Sequence, residues 1–346
     1  MVGRRIRVLI VDDSAVIRQV LTEILGQADD IEVVGTAQDP IFAMNKIRAL
    51  RPDVITLDVE MPRMDGLTFL EELMKTSPIP VLMVSALTQR GNETTLRALE
   101  LGAIDYIPKP RIDISEGVIK LGEEIIRKVR IAAKAKVRMP AQKKTSSRPL
   151  QSSFRLETTD RIIAIGASTG GTQAVTEIIT ALPESTPGIV IVQHMPPMFT
   201  RSFAERLNSL SRLDVKEAST GDRIIRGSVL IAPGNKHMTI RRKGAMYYTE
   251  IKDGPMVNFV RPSVDVLFSS VAKYVGGNAV GVILTGMGED GAKGLLEMKG
   301  AGAFTIAQDE ATSVVFGMPR RAIEMGAVKR VAPLEEIPEI ILENIA

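Results

Sequence analysis

The chain has 346 residues, no cysteine, two histidines (His194 and His237) and a formal net charge of +3. The missing thiols exclude disulfides, thiolate catalysis and cysteine-ligated zinc, and two histidines argue against a multi-histidine metal centre. No apolar run approaches the ~18 residues that span a bilayer, and Met1-Val2-Gly3-Arg4-Arg5 leads into a short apolar run that meets Asp12-Asp13, so neither a membrane span nor a secretory leader is expected.

The length favours two domains. In the first, Arg7-Val8-Leu9-Ile10-Val11 reads as a buried strand ending in Asp12-Asp13, followed by an amphipathic helix with Val16, Val20, Leu21, Ile24 and Leu25 on one face. Further apolar runs at 31–35, 54–58, 80–84 and 103–107 alternate with helix-like segments such as 41–50 and 93–101. This alternation predicts a doubly wound, five-stranded parallel sheet, with ligands beyond the C-terminal strand ends. Polar residues fall at those ends: Asp12 and Asp13 after strand one, Asp58 at strand three, Ser85 at strand four and Lys109 after strand five. Three carboxylates converging on one crevice repel one another unless a divalent cation sits among them, and an all-oxygen donor set suits Mg²⁺. A lysine beside them would bind a phosphoryl oxygen, and Ser85 would donate to another. The bland alternative is that such acids only cap helices.

These residues, with Met61-Pro62, Asp65-Gly66, Ser85-Ala86 and Lys109-Pro110, make this half resemble response-regulator receiver domains of flavodoxin-like fold. The resemblance implies that Asp58 accepts a phosphoryl group from a chemotaxis histidine kinase. It further implies that Asp12 and Asp13 help hold Mg²⁺, and that Ser85 and Tyr106, with Lys109, form the switch that changes state on phosphorylation.

Residues 124–134 extend the last helix of this domain through Ile125, Ile126, Val129 and Ile131. From Arg127 to Arg148 there are nine Lys/Arg and no acid, with Pro, Ser and Gln after Val137. Such composition predicts a charged, solvated connector. No aromatic between Tyr106 and Phe154 is present to stack on bases, and no helix-turn-helix pattern follows, so no nucleic-acid partner is expected. The division expected is 1–123, a connector over 124–155, and a second domain over 156–346.

The second domain is organised around Arg161-Ile162-Ile163-Ala164-Ile165-Gly166-Ala167-Ser168-Thr169-Gly170-Gly171, which reads as strand, tight turn and helix. Gly166-Ala167-Ser168-Thr169-Gly170 satisfies G-x-S-x-G, the elbow that lifts a nucleophilic hydroxyl off a buried strand; a phosphate loop or a plain turn fits the same residues. A second buried strand, Ile189–Gln193, delivers His194, and a third, Ala279–Leu284, leads through Thr285-Gly286-Met287-Gly288-Glu289 to Asp290. Parallel α/β topology would gather Ser168, His194 and Asp290 on one rim as nucleophile, base and orienting carboxylate. The N–H groups of Thr169 and the glycine-rich 285–288 loop are candidates for the oxyanion site. His237, ahead of a hairpin strand, is the rival base, and Asp290 has the alternative role of capping a helix that begins near Gly291. A nucleotide- or flavin-binding signalling module without hydrolase activity is the runner-up, although neither glycine loop matches G-x-G-x-x-G.

Gly166-Ala167-Ser168-Thr169-Gly170-Gly171, Gln193-His194-Met195-Pro196 and Leu284 to Gly291, behind a receiver-like half, resemble the chemotaxis protein-glutamate methylesterases. The resemblance implies a mostly parallel α/β hydrolytic domain with a β-hairpin, and a phosphorylation-regulated cytoplasmic enzyme of sensory adaptation. It would hydrolyse glutamyl methyl esters on methylated transmembrane chemoreceptors and deamidate receptor glutamines. It further implies Ser168, His194 and Asp290 in the roles above, the Met287 N–H at the oxyanion, and no cofactor at the esterase site. The receiver is expected to cover the Ser168 rim until Asp58 is phosphorylated. No long heptad run suggests obligate association, so a monomer is expected, without insertion into the membrane.

Overall fold

A computed structural model describes residues 4–61, 64–85, 88–110, 115–137 and 161–345; residues 138–155 of the expected connector and 156–160 of the expected second domain lie outside them. The chain divides into two compact units, Met1–Gln142 and Lys143–Ala346.

The first unit carries β1 (Ile6–Val11), β2 (Ile31–Ala37), β3 (Val54–Asp58), β4 (Val81–Ser85) and β5 (Asp105–Pro108). They alternate with α1 (Ala15–Gly26), α2 (Pro40–Leu50), α3 (Gly66–Thr76), α4 (Gln89–Glu100) and α5 (Ser115–Ala132). The sheet is parallel in the order β2-β1-β3-β4-β5. Strands β3 and β4 are buried at every residue, as continuous apolar runs covered by helices on both faces must be. The strand order reverses between β1 and β3, so the crevice of this sheet opens where Asp12, Asp13 and Asp58 emerge. Helix starts are capped by other residues: Ser14, Asp39, Asp65 and Thr88 accept from backbone N–H groups of α1, α2, α3 and α4. The three strand-end acids are therefore not helix caps. α5 runs unbroken past residue 123, and two cations of the basic stretch are tied down on it. Lys128 Nζ lies 3.1 Å from Asp105 and Arg130 Nη2 2.7 Å from Asp30, so the charged run is only in part a solvated connector.

The second unit is built on a seven-stranded parallel sheet in the order β14-β13-β12-β6-β7-β9-β8. Its strands are β6 (Ile162–Ala167), β7 (Gly188–Gln193), β8 (Asp214–Glu217), β9 (Ser228–Ile231), β12 (Ala279–Ile283), β13 (Phe304–Gln308) and β14 (Arg330–Ala332). An antiparallel hairpin, β10 (His237–Lys243) with β11 (Met246–Lys252), stands apart from that sheet. Helices α6 (Gly171–Ala181), α7 (Phe199–Leu210), α8 (Val264–Tyr274), α9 (Ala292–Gly300), α10 (Met318–Glu324) and α11 (Ile337–Glu343) complete the unit. Its core joins Val190 and Val192 of β7 to Val264, Leu267, Phe268 and Val271 of α8, with Met238 and Ile240 of the hairpin. The hairpin is thereby welded to the sheet through α8. The three central strands are β12, β6 and β7, the ones that carry the candidate residues.

Candidate functional site

In the first unit, one oxygen from each of Asp12, Asp13 and Asp58 falls within 4.8 Å of the others. Asp12 and Asp58 are 0% and 1% exposed, whereas Asp13 faces solvent. Lys109 Nζ bonds Asp58 Oδ2 at 2.7 Å and lies 3.8 Å from Asp12 Oδ2. Burial and the neighbouring Asp58 push the Asp12 carboxyl up to about 6, and burial also raises Asp58 despite its lysine partner. Burial works to lower the Lys109 ammonium, but the Asp58 bond prevails and its affinity for a proton rises. Asp12 Oδ2 is buried without a hydrogen-bond partner among the described residues. An orphaned anionic oxygen facing two further carboxylates fits a hard divalent cation, and the donor set contains no nitrogen or sulfur. Ser85 is buried at the end of β4, its Oγ accepting from Thr95 Oγ1 at 2.8 Å. Tyr106 is buried on β5 beneath Lys128, whose Nζ lies 4.8 Å from the ring centroid, and desolvation holds its phenol protonated.

In the second unit, β6 and β7 pair with Ala167 opposite Gln193, and His194 N–H donates to Ala167 O at 3.1 Å. Ser168 and His194 are consequently the next residues on adjacent strands, which run about 4.8 Å apart in any sheet. The reversal of strand order at β6, with β7 on one side and β12 on the other, places Ser168 at this sheet's switch point. The backbone after Ser168 turns at once into α6 through Gly170, whose φ of +77° favours glycine, and Gly171 N–H donates to Ser168 O at 2.7 Å.

From the other side, the 285–288 loop closes on the same turn. Ser168 N–H donates to Thr285 O (3.0 Å), and Thr285 Oγ1 donates to Thr169 O (3.0 Å). Gly286 is needed for this approach: a Cβ there would stand 2.7 Å from Ser168 Cβ and 2.4 Å from Met318 Sδ. Met287, the next residue, is partly exposed, and Thr169 is buried beside Ser168.

His194 Nε2 lies 2.9 Å from Asp290 Oδ2, which leaves Nδ1 as the ring's other nitrogen. Asp290 is 3% exposed, and five donors converge on it. Oδ2 accepts from His194 and from Val264 N–H (2.6 Å); Oδ1 accepts from Ser263 Oγ (2.6 Å), Asn258 Nδ2 (2.9 Å) and Asp265 N–H (3.4 Å). Burial alone would raise its pKa, yet the bonds from His194, Ser263 and Asn258 outweigh it and the carboxyl sits below its ordinary 3.8. Two of the donors are the first N–H groups of α8, so the positive end of that helix faces the anion. Asp290 therefore makes no cap for α9, whose N-cap is Gly291 without a side-chain bond.

His237 is not presented at this rim. It is 3% exposed at the first residue of β10; its Nε2–H donates to Pro255 O (2.9 Å) and its Nδ1 accepts from Ser263 N–H (3.2 Å). Backbone groups thus engage both ring nitrogens, and the ring props the residue that holds Asp290. The sequence reading missed Ser263, Asn258 and the role of Gln193, whose Nε2 donates to Ser168 O at 2.9 Å. Ser263 had a legible signal as a serine opening an apolar helical run, and it caps α8 through Val266 N–H at 3.4 Å. Asn258 had none.

A phosphoacceptor-type sheet and an α/β sheet with Ser, His and Asp at its switch point define a response regulator with a hydrolytic output domain. Comparison with known proteins agrees. Residues 163–341 match the family model described as CheB methylesterase, and residues 8–118 match the response regulator receiver domain. The chain belongs to the CheB methylesterase family. It is 57% identical over 341 residues to protein-glutamate methylesterase/protein-glutamine glutaminase 1 of Geobacter metallireducens, covering 96% of this chain and 94% of that protein. It is 56% identical over 342 residues to protein-glutamate methylesterase/protein-glutamine glutaminase of Salmonella typhimurium, covering 99% and 97% respectively. Among solved structures, the catalytic domain of the Thermotoga maritima CheB methylesterase superposes with a TM-score of 0.53 at 43% identity, over 54% of this chain and 99% of that one. No helix among the described residues is long and apolar enough to cross a membrane.

Proposed function

We propose that this chain is a chemotaxis methylesterase that hydrolyses glutamyl methyl esters on chemoreceptors and deamidates receptor glutamines, with Ser168 as nucleophile, His194 as base and Asp290 as orienter. The observation that carries the assignment is the His194 Nε2 to Asp290 Oδ2 bond of 2.9 Å beside the Ser168 strand end. With Nε2–H committed to the carboxylate, Nδ1 is the nitrogen that takes the Ser168 proton as Oγ attacks the ester carbonyl. Asp290, already an anion under five donors, steadies the imidazolium without taking its proton. The tetrahedral oxyanion is met by the N–H groups of Met287 and Thr169, which flank the nucleophile from the 285–288 loop and from the start of the α6 turn. Collapse breaks the acyl C–O bond, and His194 returns the proton to the leaving methoxide as methanol. Water, deprotonated by the same ring, then cleaves the acyl-serine to leave a glutamyl carboxylate. A glutamine side chain follows the same path with ammonia leaving.

In the receiver, Asp58 is the phosphoacceptor and a chemotaxis histidine kinase the donor. Asp12, Asp13 and Asp58 would hold Mg²⁺. When bound, the ion neutralises charge on the incoming phosphoryl group. Lys109 binds a phosphoryl oxygen, and Ser85 and Tyr106 respond to the new group. The domains are 1–123 and 156–346 with 124–155 as a helical extension and basic linker, and the cytoplasm is where kinase and receptor tails are met. Phosphorylation at Asp58 relieves inhibition of the Ser168 site. Methanol release from methylated receptor membranes, measured with wild type and Ser168→Ala, tests the central assignment: the variant is expected to fold and release none.

A further inference from the structure

We propose that Asn258 is a positioning residue for the esterase: its amide bridges two buried carboxylates, Asp265 and Asp290, and holds Asp290 in the orientation His194 requires. The inference rests on the Ser168–His194–Asp290 reading above and extends it to a residue that never meets the substrate.

The geometry is specific. Asn258 Nδ2 donates to Asp265 Oδ2 at 2.8 Å and to Asp290 Oδ1 at 2.9 Å. One nitrogen thus spends its two hydrogens on two acids that would otherwise face each other without a donor between them. Asp265 is anchored independently by Gly294 N–H on Oδ1 at 2.7 Å, so it does not move aside. With Oδ1 of Asp290 saturated by Ser263, Asn258 and the Asp265 N–H, only Oδ2 is presented to His194.

The backbone carries a second sign. Val257 and Val260 exchange both N–H···O bonds, at 3.1 and 3.0 Å, around a two-residue turn in which Asn258 has φ +52° and Phe259 φ +64°. Positive φ at both central positions is the pattern of a type I′ turn, where glycine is favoured second; a phenylalanine there is strained. Phe259 is 96% exposed and gains no packing in return. The strain is carried by a turn whose first residue ends on the orienting carboxylate, the kind of site where backbone strain collects.

The titratable groups around this amide are Asp265 on α8, Asp290 after β12, His194 after β7 and, behind Ser263, His237 on β10. Without the amide, Asp290 loses a donor and gains an unscreened neighbour. Either a proton settles on the acid pair, or a less satisfied Asp290 holds the His194 proton more tightly. Both move the acid limb of activity to higher pH.

The test is the rate at which a fluorophosphonate labels Ser168 in the full-length protein, followed against pH, beside kcat and KM for methanol release. Asn258→Gly keeps the positive φ and removes the amide; Asn258→Asp keeps the shape and adds a third acid. Both are expected to lower kcat and the labelling rate about ten- to hundredfold, as one lost hydrogen bond to a charged group does, with KM little changed and the acid limb displaced upward. Phe259→Gly, which relaxes the turn and leaves the amide, is expected to match wild type in labelling rate and limb. An Asn258→Gly protein with wild-type rate and limb overturns the proposal, as does a loss confined to KM or to thermal stability. A wild-type protein that is not labelled at Ser168 instead refutes the underlying catalytic reading.

Discussion

His194 Nε2 and Asp290 Oδ2 lie 2.9 Å apart although 96 residues separate them in the chain. The bond fixes the neutral imidazole in one tautomer, with its proton toward the carboxylate and Nδ1 free of it. Asp290→Asn keeps the size but replaces an acceptor oxygen with a donor or a neutral acceptor, so the ring loses both its orientation and its charge partner. kcat for methanol release is expected to fall about 10⁴-fold, with near-normal KM. A fall of less than tenfold would remove Asp290 from the mechanism.

The same carboxyl gives a pH signature in stability. Its pKa is lowered in the folded state, so its contribution is present above the ordinary 3.8 and disappears as pH falls through the lower folded value. Urea titrations of wild type and Asp290→Asn should therefore differ most at neutral pH, and the difference should shrink as pH falls below 3.8 through the lowered folded-state value. Curves that stay parallel across that range contradict the assignment of Asp290 as a buried anion.

Gly286 sets how closely the 285–288 loop approaches the nucleophile. Gly286→Ala would place a Cβ 2.7 Å from Ser168 Cβ and 2.4 Å from Met318 Sδ. The methionine can swing away, but the serine cannot without leaving its bond to Thr285 O. A shift on the order of 1 Å at a reacting centre costs about 10²-fold, which is the loss expected in kcat. Fluorophosphonate labelling of Ser168 should slow in step. Unchanged turnover would show that the loop has room to spare.

The receiver makes a prediction of its own. Asp12, Asp13 and Asp58 crowd one crevice with Lys109 the cation paired to them among the described residues, so a divalent cation that binds the folded state should stabilise it. At a hundred times its dissociation constant, Mg²⁺ is expected to add about 2.7 kcal/mol. Asp12→Ala should abolish this gain, and Asp58→Asn should also abolish incorporation of phosphate from acetyl phosphate. A Mg²⁺-induced rise in Tm that survives both substitutions would locate the ion elsewhere.

Control by the receiver is tested by deletion. A fragment from residue 156 onward should release methanol faster than the unphosphorylated full chain, because the proposed restraint is gone. A slower fragment contradicts inhibition and points to a receiver that activates only.

Much of the molecule can be read locally. The alternation of short apolar runs with 3.6-residue patterns specifies strands and helices because each must bury one face. Residues at the C-terminal ends of parallel strands then fall on one rim whatever the details of packing. Asp12, Asp58, Ser168 and His194 are legible for that reason: each lies at the end of a strand or within one residue of it. Asp290 is harder, seven residues past β12, and its sequence neighbours offer a helix to cap that it does not cap. What it binds instead is α8, which starts 26 residues earlier.

The strand-end residues were thus determined by short-range patterning, which the order of residues contains in full. Which histidine meets Asp290, the donors that surround that carboxyl, and the bridge from Asn258 were decided only when α8 packed between the hairpin and the central sheet. Hydrogen bonds between side chains distant in sequence leave no periodic trace. Their partners are chosen by burial, which forces each polar group to find whatever donor or acceptor the completed core leaves within reach.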